Sequence, residues 1–546
     1  NCHKMLTHFM EVIALVIGTV LVWAWWIKRR KRFSPFKGIP CAPDAHWLLG
    51  HIPHLALRNF EEGLKTLVDT ANPNGRSCFW IGNEAAISVI HGRDAHMFLS
   101  VTSDRNLDPL FKRHYKRILG LNSPILINGK DWKLYRSAIH RAFSPQALKE
   151  CQSSMNLISL RLQSSLIQRI NSSPDGTVTM DVLPLVRMAT MDFFGSIGMG
   201  IDFRCCENLT NSPVAYAFEF LSDETTRRIM SPFNIFCQFY SLPSYLNRRN
   251  NQEQFSLREF IRSLIKGRRN GDNSPSMKKG SDLLSNIIAA VDKLHGNEQH
   301  QQMKETLIEE TASDLLMTLV FAGYDTTSIT LAYALYLISA HPQVQELCVE
   351  EAISALGTDE KTIPADFNPE GKLHYIRAVL YETLRLFPSA PSTSRLLNRP
   401  IKLSDCELPA DTKVFVPIWC IQRNPSNFPR PLEFLPERWA RRKKINGNDD
   451  FGSHEWEERP EDDTCENSND DYISPANREA FVAFSAGARN CVGKKLAIQE
   501  SVTLLAILLR NLKFNTVPGY VPNPVRAGPI QKPERGMPMI IQQRHN

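Results

Sequence analysis

No Cys-x-x-Cys pair occurs among the 12 cysteines of this 546-residue chain, and no cysteine spacing repeats. That pattern excludes a paired-cysteine zinc site and a disulfide framework, and leaves most thiols as reduced core residues of a cytosol-facing domain. Gly-x-Gly-x-x-Gly is absent as well, so the chain brings no dinucleotide fingerprint of its own. There are no internal repeats. Charge of one sign is scarce too: 64 basic against 57 acidic side chains leave a net +7, too small an excess to point to nucleic acid. With 42% apolar and 22% charged residues, the composition is that of a folded chain with a sizeable core.

One long apolar run stands out. FMEVIALVIGTVLVWAWWI, residues 9–27, is interrupted only by Glu11 and Thr19. Its 19 residues would span about 28 Å as a helix, close to the hydrocarbon thickness of a bilayer. Trp23, Trp25 and Trp26 sit at the level of an aromatic belt, and KRRKR at 28–32 follows at once. A cleaved signal peptide carries its basic residues before the apolar run and ends in small residues; this segment does neither. A retained anchor at 1–32 with a cytosolic basic stop is expected. Residues 33–55, with Pro35, Pro40, Pro43 and Pro53, form a stiff hinge because proline fixes its own backbone angle.

Beyond the hinge, CFWIG and AAISVIHG are strand-like, and from residue 130 the apolar spacing is helical. KGRRNGDNSPSMKKGS at 266–281 is expected as a polar linker. Residues 448–471 hold 11 acidic side chains and one arginine and are expected to form a mobile surface insertion. The longest regular element runs from Glu305 to Ala340 without proline, and His341-Pro342 stops it. A second membrane span is its rival reading, but a central aspartate is costly in lipid. A buried core helix with a polar break is expected instead.

The break is Ala322-Gly-Tyr-Asp-Thr-Thr327, where Asp325 and Thr326 set an acid beside a hydroxyl, the parts of a proton relay; polar groups in a helix also commonly satisfy one another. Glu382-x-x-Arg385 puts a charge pair on one helix face, and Pro436-Glu-Arg-Trp439 adds Arg438. Then comes FSAGARNCVG, residues 484–493, with one thiol in a glycine-lined turn. As a phosphate loop it fails, since five residues separate Gly487 from Gly493 and Lys495, not Ser or Thr, follows Lys494. As a nucleophile site it lacks a nearby histidine.

Together these segments resemble the cytochrome P450 haem-thiolate monooxygenases over nearly the whole chain and in the family's order: anchor and hinge, Trp132-x-x-x-Arg136, Ala322–Thr327, Glu382-x-x-Arg385, PERW and F-x-x-G-x-R-x-C-x-G. The last is the specific one. The resemblance implies a mainly α fold with small β-sheets, the P450 fold, preceded by one transmembrane helix, with residues 56–546 as a single catalytic domain. It implies haem b with Cys491 as the thiolate ligand of its iron. Phe484 would shield the sulfur, Gly487 and Gly493 would let the loop pass close under the porphyrin, and the following helix would aim its N-terminus at the sulfur. Trp132, Arg136, Arg489 and Arg395 would hold the propionates, while Glu382, Arg385 and Arg438 would form a buried ion network. Asp325 and Thr326 would deliver protons. Phe321, Ala322 and Ala390 would line the substrate pocket.

The same resemblance implies insertion of one oxygen atom from O2 into a C–H bond of a lipophilic small molecule: fatty acid, sterol, terpenoid or xenobiotic. Electrons would come from an NADPH-cytochrome reductase, with cytochrome b5 as a second donor, at an endoplasmic reticulum membrane where the single-pass chain faces the cytosol. Lys133, Arg141, Lys494 and Lys495 would supply a basic docking face. The alternative is a haem-thiolate isomerase or dehydratase acting on lipid peroxides without a reductase.

Overall fold

A computed structural model describes residues 15–544 apart from 17, 24, 28–29, 31–32, 56–59, 106–108, 211, 231–243, 271–282, 295–300, 360, 366, 404–405, 444–454 and 461–475. As the resemblance implies, helices dominate and the sheets are small. The two strand-like runs form a hairpin, β1 (Arg76–Ile81) against β2 (Glu84–Val89), with Arg76 opposite Val89. β3 (Thr393–Leu396) and β4 (Lys413–Val416) complete a sheet of order β1-β2-β4-β3, in which β2 runs parallel to β4.

Six helices position the site: α1 (Gly129–Ala142), α2 (Val182–Phe193), α3 (Pro213–Met230), α4 (Gln301–Ala340), α5 (His374–Leu386) and α6 (Lys494–Asn511). The long helix α4 starts four residues before the expected Glu305 and ends where expected, at Ala340. Its interior half is apolar on every side because it threads the core: Tyr333, Leu335 and Ile338 share one buried cluster with Val379 and Leu384 of α5 and Leu505 and Leu508 of α6. Among the described residues two helices are long and apolar enough to cross a membrane, Val182–Met199 and Met303–Ala340, and protein buries 89% of the first and 78% of an apolar 18-residue window of the second. Burial inside the domain accounts for their apolarity.

The N-terminal run is different. Its described part is helical, and Val22, Trp23, Trp25 and Trp26 lie exposed on it; residues 9–14 and most of the basic stop lie outside the described residues. Most of the acidic stretch 448–471 lies outside them too. Its centre departs from the expectation of a wholly mobile insertion: Trp456–Glu458 form a strand, β6, on β5 (Ala440–Arg442), and the Trp456 ring lies 4.2 Å from that of Tyr375. The first part of the supposed linker at 266–281 is also ordered, since the helix Tyr245–Arg269 runs into it.

The hinge does not stand off as a lever but lies along β1. Cys78 donates its N–H to Pro40 O at 2.7 Å, and Ala42 donates to Cys78 O at 2.8 Å. Further on, His51 is buried and bridges the two segments. Its Nδ1 accepts the Trp80 N–H at 3.0 Å, and its Nε2 faces Pro43 O at 2.9 Å and Ala42 O at 3.2 Å. That arrangement requires the neutral ring with its proton on Nε2, and burial holds its pKa below the ordinary histidine value.

A depressed histidine pKa means that the unfolded chain takes up a proton, near pH 6.5, that the folded chain refuses. The stability tied to His51 is therefore full above about pH 6.5 and is lost as the pH falls below it. The unfolding midpoint is expected to drop between about pH 7 and 5.5, and His51→Gln, which cannot titrate, should show a shallower drop. Equal slopes for the two proteins would refute the assignment.

Candidate functional site

Cys491 sits at the end of a turn that the chain closes on itself. Its N–H donates to Phe484 O at 2.8 Å, and Asn490 N–H donates to Gly487 O at 3.1 Å. α6 begins three residues later, with Gly493 as its N-cap. Gly487 has φ +66°, and a Cβ there would lie 2.5 Å from Leu99 O and 2.6 Å from Ser100 Cα. The close approach that demands glycine is thus to the helix Gly92–Val101. A Cβ on Gly493 would meet only Phe143, at 3.9 Å, and neither glycine lines the cavity described below. Gly487 thus fits the turn against a neighbouring helix, and Gly493 caps α6.

The thiol of Cys491 opens onto that cavity. The protein packed around the turn pushes its pKa up, while the Gly493 N–H and the charges of Arg136, Lys494 and Arg105 favour the thiolate. The Lys494 ammonium lies 5.5 Å from the centre of the Phe484 ring, which also borders the cavity.

Behind the turn, the expected ion network is fully buried. Glu382 accepts from Arg385 Nε at 2.9 Å and Nη2 at 2.8 Å, from Arg438 Nε at 3.3 Å, from Trp439 Nε1 at 2.9 Å and from Leu435 N–H at 3.1 Å. Arg385 spends its remaining N–H groups on the carbonyls of Gln422, Pro431 and Glu433. Removing one partner from such a cluster strands a buried charge and costs about 3–5 kcal/mol. Gln422 extends the network: its amide donates to Leu384 O and Arg385 O and accepts from Val482 N–H, two residues before Phe484.

The cavity has a volume of about 740 Å³. Trp132, Arg136, Arg395, Phe484, Arg489 and Cys491 line it, as do Phe321, Ala322, Asp325, Thr326 and Ala390. Arg105, which no motif marks, also faces it. Its guanidinium stands with those of Arg136, Arg395 and Arg489, and the set repels itself. Burial and neighbouring arginines bring Arg395 and Arg489 to about 9, and Arg105 to about 10. Asp104 acts on Arg489, but among the described residues no carboxylate acts on Arg105, Arg136 or Arg395. Among the described residues the buried Nε atoms of Arg105 and Arg395 have no hydrogen-bond partner. Uncompensated buried cations are costly, so the set calls for an anionic ligand.

Arg489 differs from the other three. It donates to Ser103 O (2.6 Å), Pro124 O (2.8 Å), Ile127 O (2.8 Å) and Asn128 Oδ1 (2.8 Å), and it stacks over Trp132 at 4.0 Å. Most of its donors therefore tie the cysteine turn to residues 103–128, which makes it more bracket than free anion hook. Among the residues lining the cavity Cys491 is the one soft metal donor, with no histidine or methionine beside it. A thiol, guanidinium groups that meet no carboxylate among the described residues and apolar side chains around one cavity fit haem, with its planar apolar body and two carboxylates.

On the opposite wall α4 carries Asp325 and Thr326, which point different ways. Asp325 is buried and accepts from Arg187 Nη2 of α2 at 3.0 Å and from Ser222 Oγ of α3 at 3.3 Å. Arg187 also pairs with Glu219, whose side chain is 34% exposed, so a line of charged groups joins Asp325 to the surface. Thr326 Oγ1 donates to Ala322 O at 2.6 Å, and its own carbonyl accepts from Ser389 Oγ at 2.8 Å and Thr330 Oγ1 at 2.9 Å. These side-chain bonds compete with the helical ladder and leave a polar patch on an otherwise apolar wall. No motif could have named Arg187, Ser222 or Ser389, because each comes from an element remote in sequence.

Glu500 on α6 is a further buried acid that no motif singled out. Burial raises its carboxyl to about 8, against the opposing effect of the Thr327 hydroxyl. The folded chain keeps a proton there that the unfolded chain releases near pH 4.3, so stability is full below about pH 4.3 and is lost as the pH rises through about 8. Glu500→Gln keeps the neutral shape and removes the charge. Its denaturation midpoint is expected to exceed that of the unsubstituted protein at pH 8 and to converge with it near pH 4.5; a constant difference at all pH values would contradict the assignment.

Comparison with known proteins agrees with this geometry. The sequence model described as Cytochrome P450 matches residues 40–537. The chain is 26% identical to Homo sapiens cytochrome P450 4X1 over 541 residues, covering 96% of this chain and 94% of that one. It is 26% identical to Drosophila melanogaster cytochrome P450 4ae1 over 437 residues, 77% and 78% of the two chains. Against Rattus norvegicus cytochrome P450 4V2 the identity is 23% over 531 residues, 94% and 91%. With the family model spanning the cavity, the cysteine turn and the buried Glu382 network alike, the chain belongs to the cytochrome P450 family of haem-dependent monooxygenases.

Proposed function

We propose that this chain hydroxylates a lipophilic small molecule at a membrane, with Cys491 as the thiolate ligand of its haem iron. The observation that carries the reading is the pairing, across one cavity, of the Cys491 sulfur with guanidinium groups that lack counter-charges. When bound, haem supplies the oxygen-activating redox chemistry. The chain's own part is to place and to protonate. Arg105, Arg136 and Arg395 would neutralise the two propionates, with Trp132 alongside and Arg489 holding the turn in place. Thr326 would present its hydroxyl to the oxygen substrate, and Asp325 would hand on protons that reach it along Glu219 and Arg187. Much of the remaining lining, including Leu55, Ile125, Phe321 and Ile530, is apolar, which supports a lipophilic substrate. The exposed tryptophan-rich helix at the N-terminus supports an anchor at the endoplasmic reticulum membrane, with the catalytic domain in the cytosol.

The test is spectroscopic. The reduced protein under carbon monoxide is expected to show the red-shifted Soret band of a thiolate-ligated haem, and Cys491→Ser to lose it. A band at the position given by a neutral ligand would sink the reading.

Electrons would come from an NADPH-cytochrome reductase, with cytochrome b5 as a second donor, docking on the basic face. Lys133, Lys494 and Lys495 are exposed, while the side chain of Arg141 lies outside the described residues. Lys494 also acts on the Cys491 sulfur, so charge reversal there would alter two properties at once. Lys133→Glu with Lys495→Glu is the cleaner pair. It is expected to slow reduction by the reductase about tenfold at low salt and to leave haem content unchanged; unaltered reduction kinetics would remove this face from consideration.

A further inference from the structure

The hinge brings a pair of sulfurs together at β1, and neither of them lines the catalytic cavity. Cys41 is the bridge partner of Cys78 in a short parallel pairing of the hinge with β1, held by the backbone bonds Cys78 N–H to Pro40 O and Ala42 N–H to Cys78 O. Paired residues on neighbouring strands stand about 5 Å apart at Cα and project to the same face, within the window that a disulfide spans. Cys41 is partly exposed and Cys78 is buried. The neighbouring Cys78 thiol shifts the Cys41 pKa down, favouring its thiolate; the same pairing and burial keep Cys78 protonated. One sulfur is therefore accessible and nucleophilic, and its partner sits behind it.

We propose that Cys41 and Cys78 are a reversible oxidation site, closing to a disulfide when a hydroperoxide reaches Cys41. The Cys41 thiolate attacks one peroxide oxygen and the O–O bond breaks. An alcohol leaves, or water if the oxidant is hydrogen peroxide, and the sulfur becomes a sulfenic acid. Cys78 then attacks that sulfur, the S–O bond breaks, water leaves and the S–S bond forms. Two thiols and one hydroperoxide give one disulfide, one alcohol and one water, and the two electrons lost by sulfur are those gained by the peroxide.

The consequence is mechanical. β1 is the edge strand of its sheet, and two backbone hydrogen bonds there give way to a covalent clasp. Ile81, Glu84 and Ala86 of the same hairpin line the cavity, so the clasp joins the hinge to a cavity wall.

The experiment uses the full chain with stoichiometric hydrogen peroxide, thiol alkylation and non-reducing peptide mapping. A linked Cys41–Cys78 peptide, lighter by two hydrogens than its parts and released by dithiothreitol, is expected, together with an unfolding midpoint raised by a few degrees. In Cys78→Ala the link should vanish and a dimedone adduct should appear on Cys41. Cys41→Ser alters a partly exposed side chain and should fold normally; there Cys78 should stay reduced. Cys41 advancing to sulfinic acid in the unsubstituted protein while Cys78 remains alkylatable would overturn the proposal, as would two untouched thiols. The peptide map reads the sulfurs directly, so its outcome does not depend on haem content or turnover.

Discussion

The carboxylate of Glu382 holds the proximal half of this molecule together. Five N–H groups from Arg385, Arg438, Trp439 and Leu435 converge on it with no exposure to water. A charge cluster of this kind contributes little net stability, because desolvation offsets most of the Coulomb gain. Its effect is geometric. Arg385 clamps three carbonyls downstream of α5, and Gln422 carries the clamp to Val482 and so to the start of the cysteine turn. The position of Cys491 follows from a carboxylate more than a hundred residues earlier in the chain.

The cavity imposes the opposite condition. Around Glu382 charges are matched, whereas Arg105, Arg136 and Arg395 meet no carboxylate among the described residues. Burial lowers the pKa of all three, and repulsion from a neighbouring arginine adds to it at Arg105 and Arg395. A ligand with two carboxylates removes the repulsion and satisfies donors in one step, so folding and cofactor retention are linked through the same arginines. Arg489 is the exception that fixes the frame. Its bonds to carbonyls between 103 and 128 fasten the turn carrying the sulfur to the segment carrying Arg105.

What the sequence disclosed follows from what is local. The cysteine turn, the Glu-x-x-Arg pair and the end of α4 depend on neighbours within one turn of chain, and the structure places each within a residue or a few of expectation. Asp325 was legible as an acid, but Arg187, which holds it, was not, because α2 and α4 meet only in the fold. Arg105 sits in no motif and becomes meaningful only beside three other arginines. Gly487 was legible as a glycine the turn needs, but its close approach to the backbone at Leu99 and Ser100 was not, because that helix lies remote in sequence. Composition also misread residues 455–459, since Trp456 supplies one apolar anchor on Tyr375 that acidic neighbours conceal.

β1 ties these parts to the N-terminus. Along one edge it exchanges hydrogen bonds with the hinge at Pro40, Ala42 and His51; along the other it pairs with β2, whose Glu84 and Ala86 border the cavity. A proline-rich segment docked in this way has little freedom relative to the sheet, because its prolines limit bending and backbone bonds at Pro40, Ala42 and His51 pin it to β1. The hinge and the wall of the cavity are consequently joined through one hairpin. A change that loosens the hinge from β1, such as protonation of His51, acts on the cavity wall as well as on the hinge.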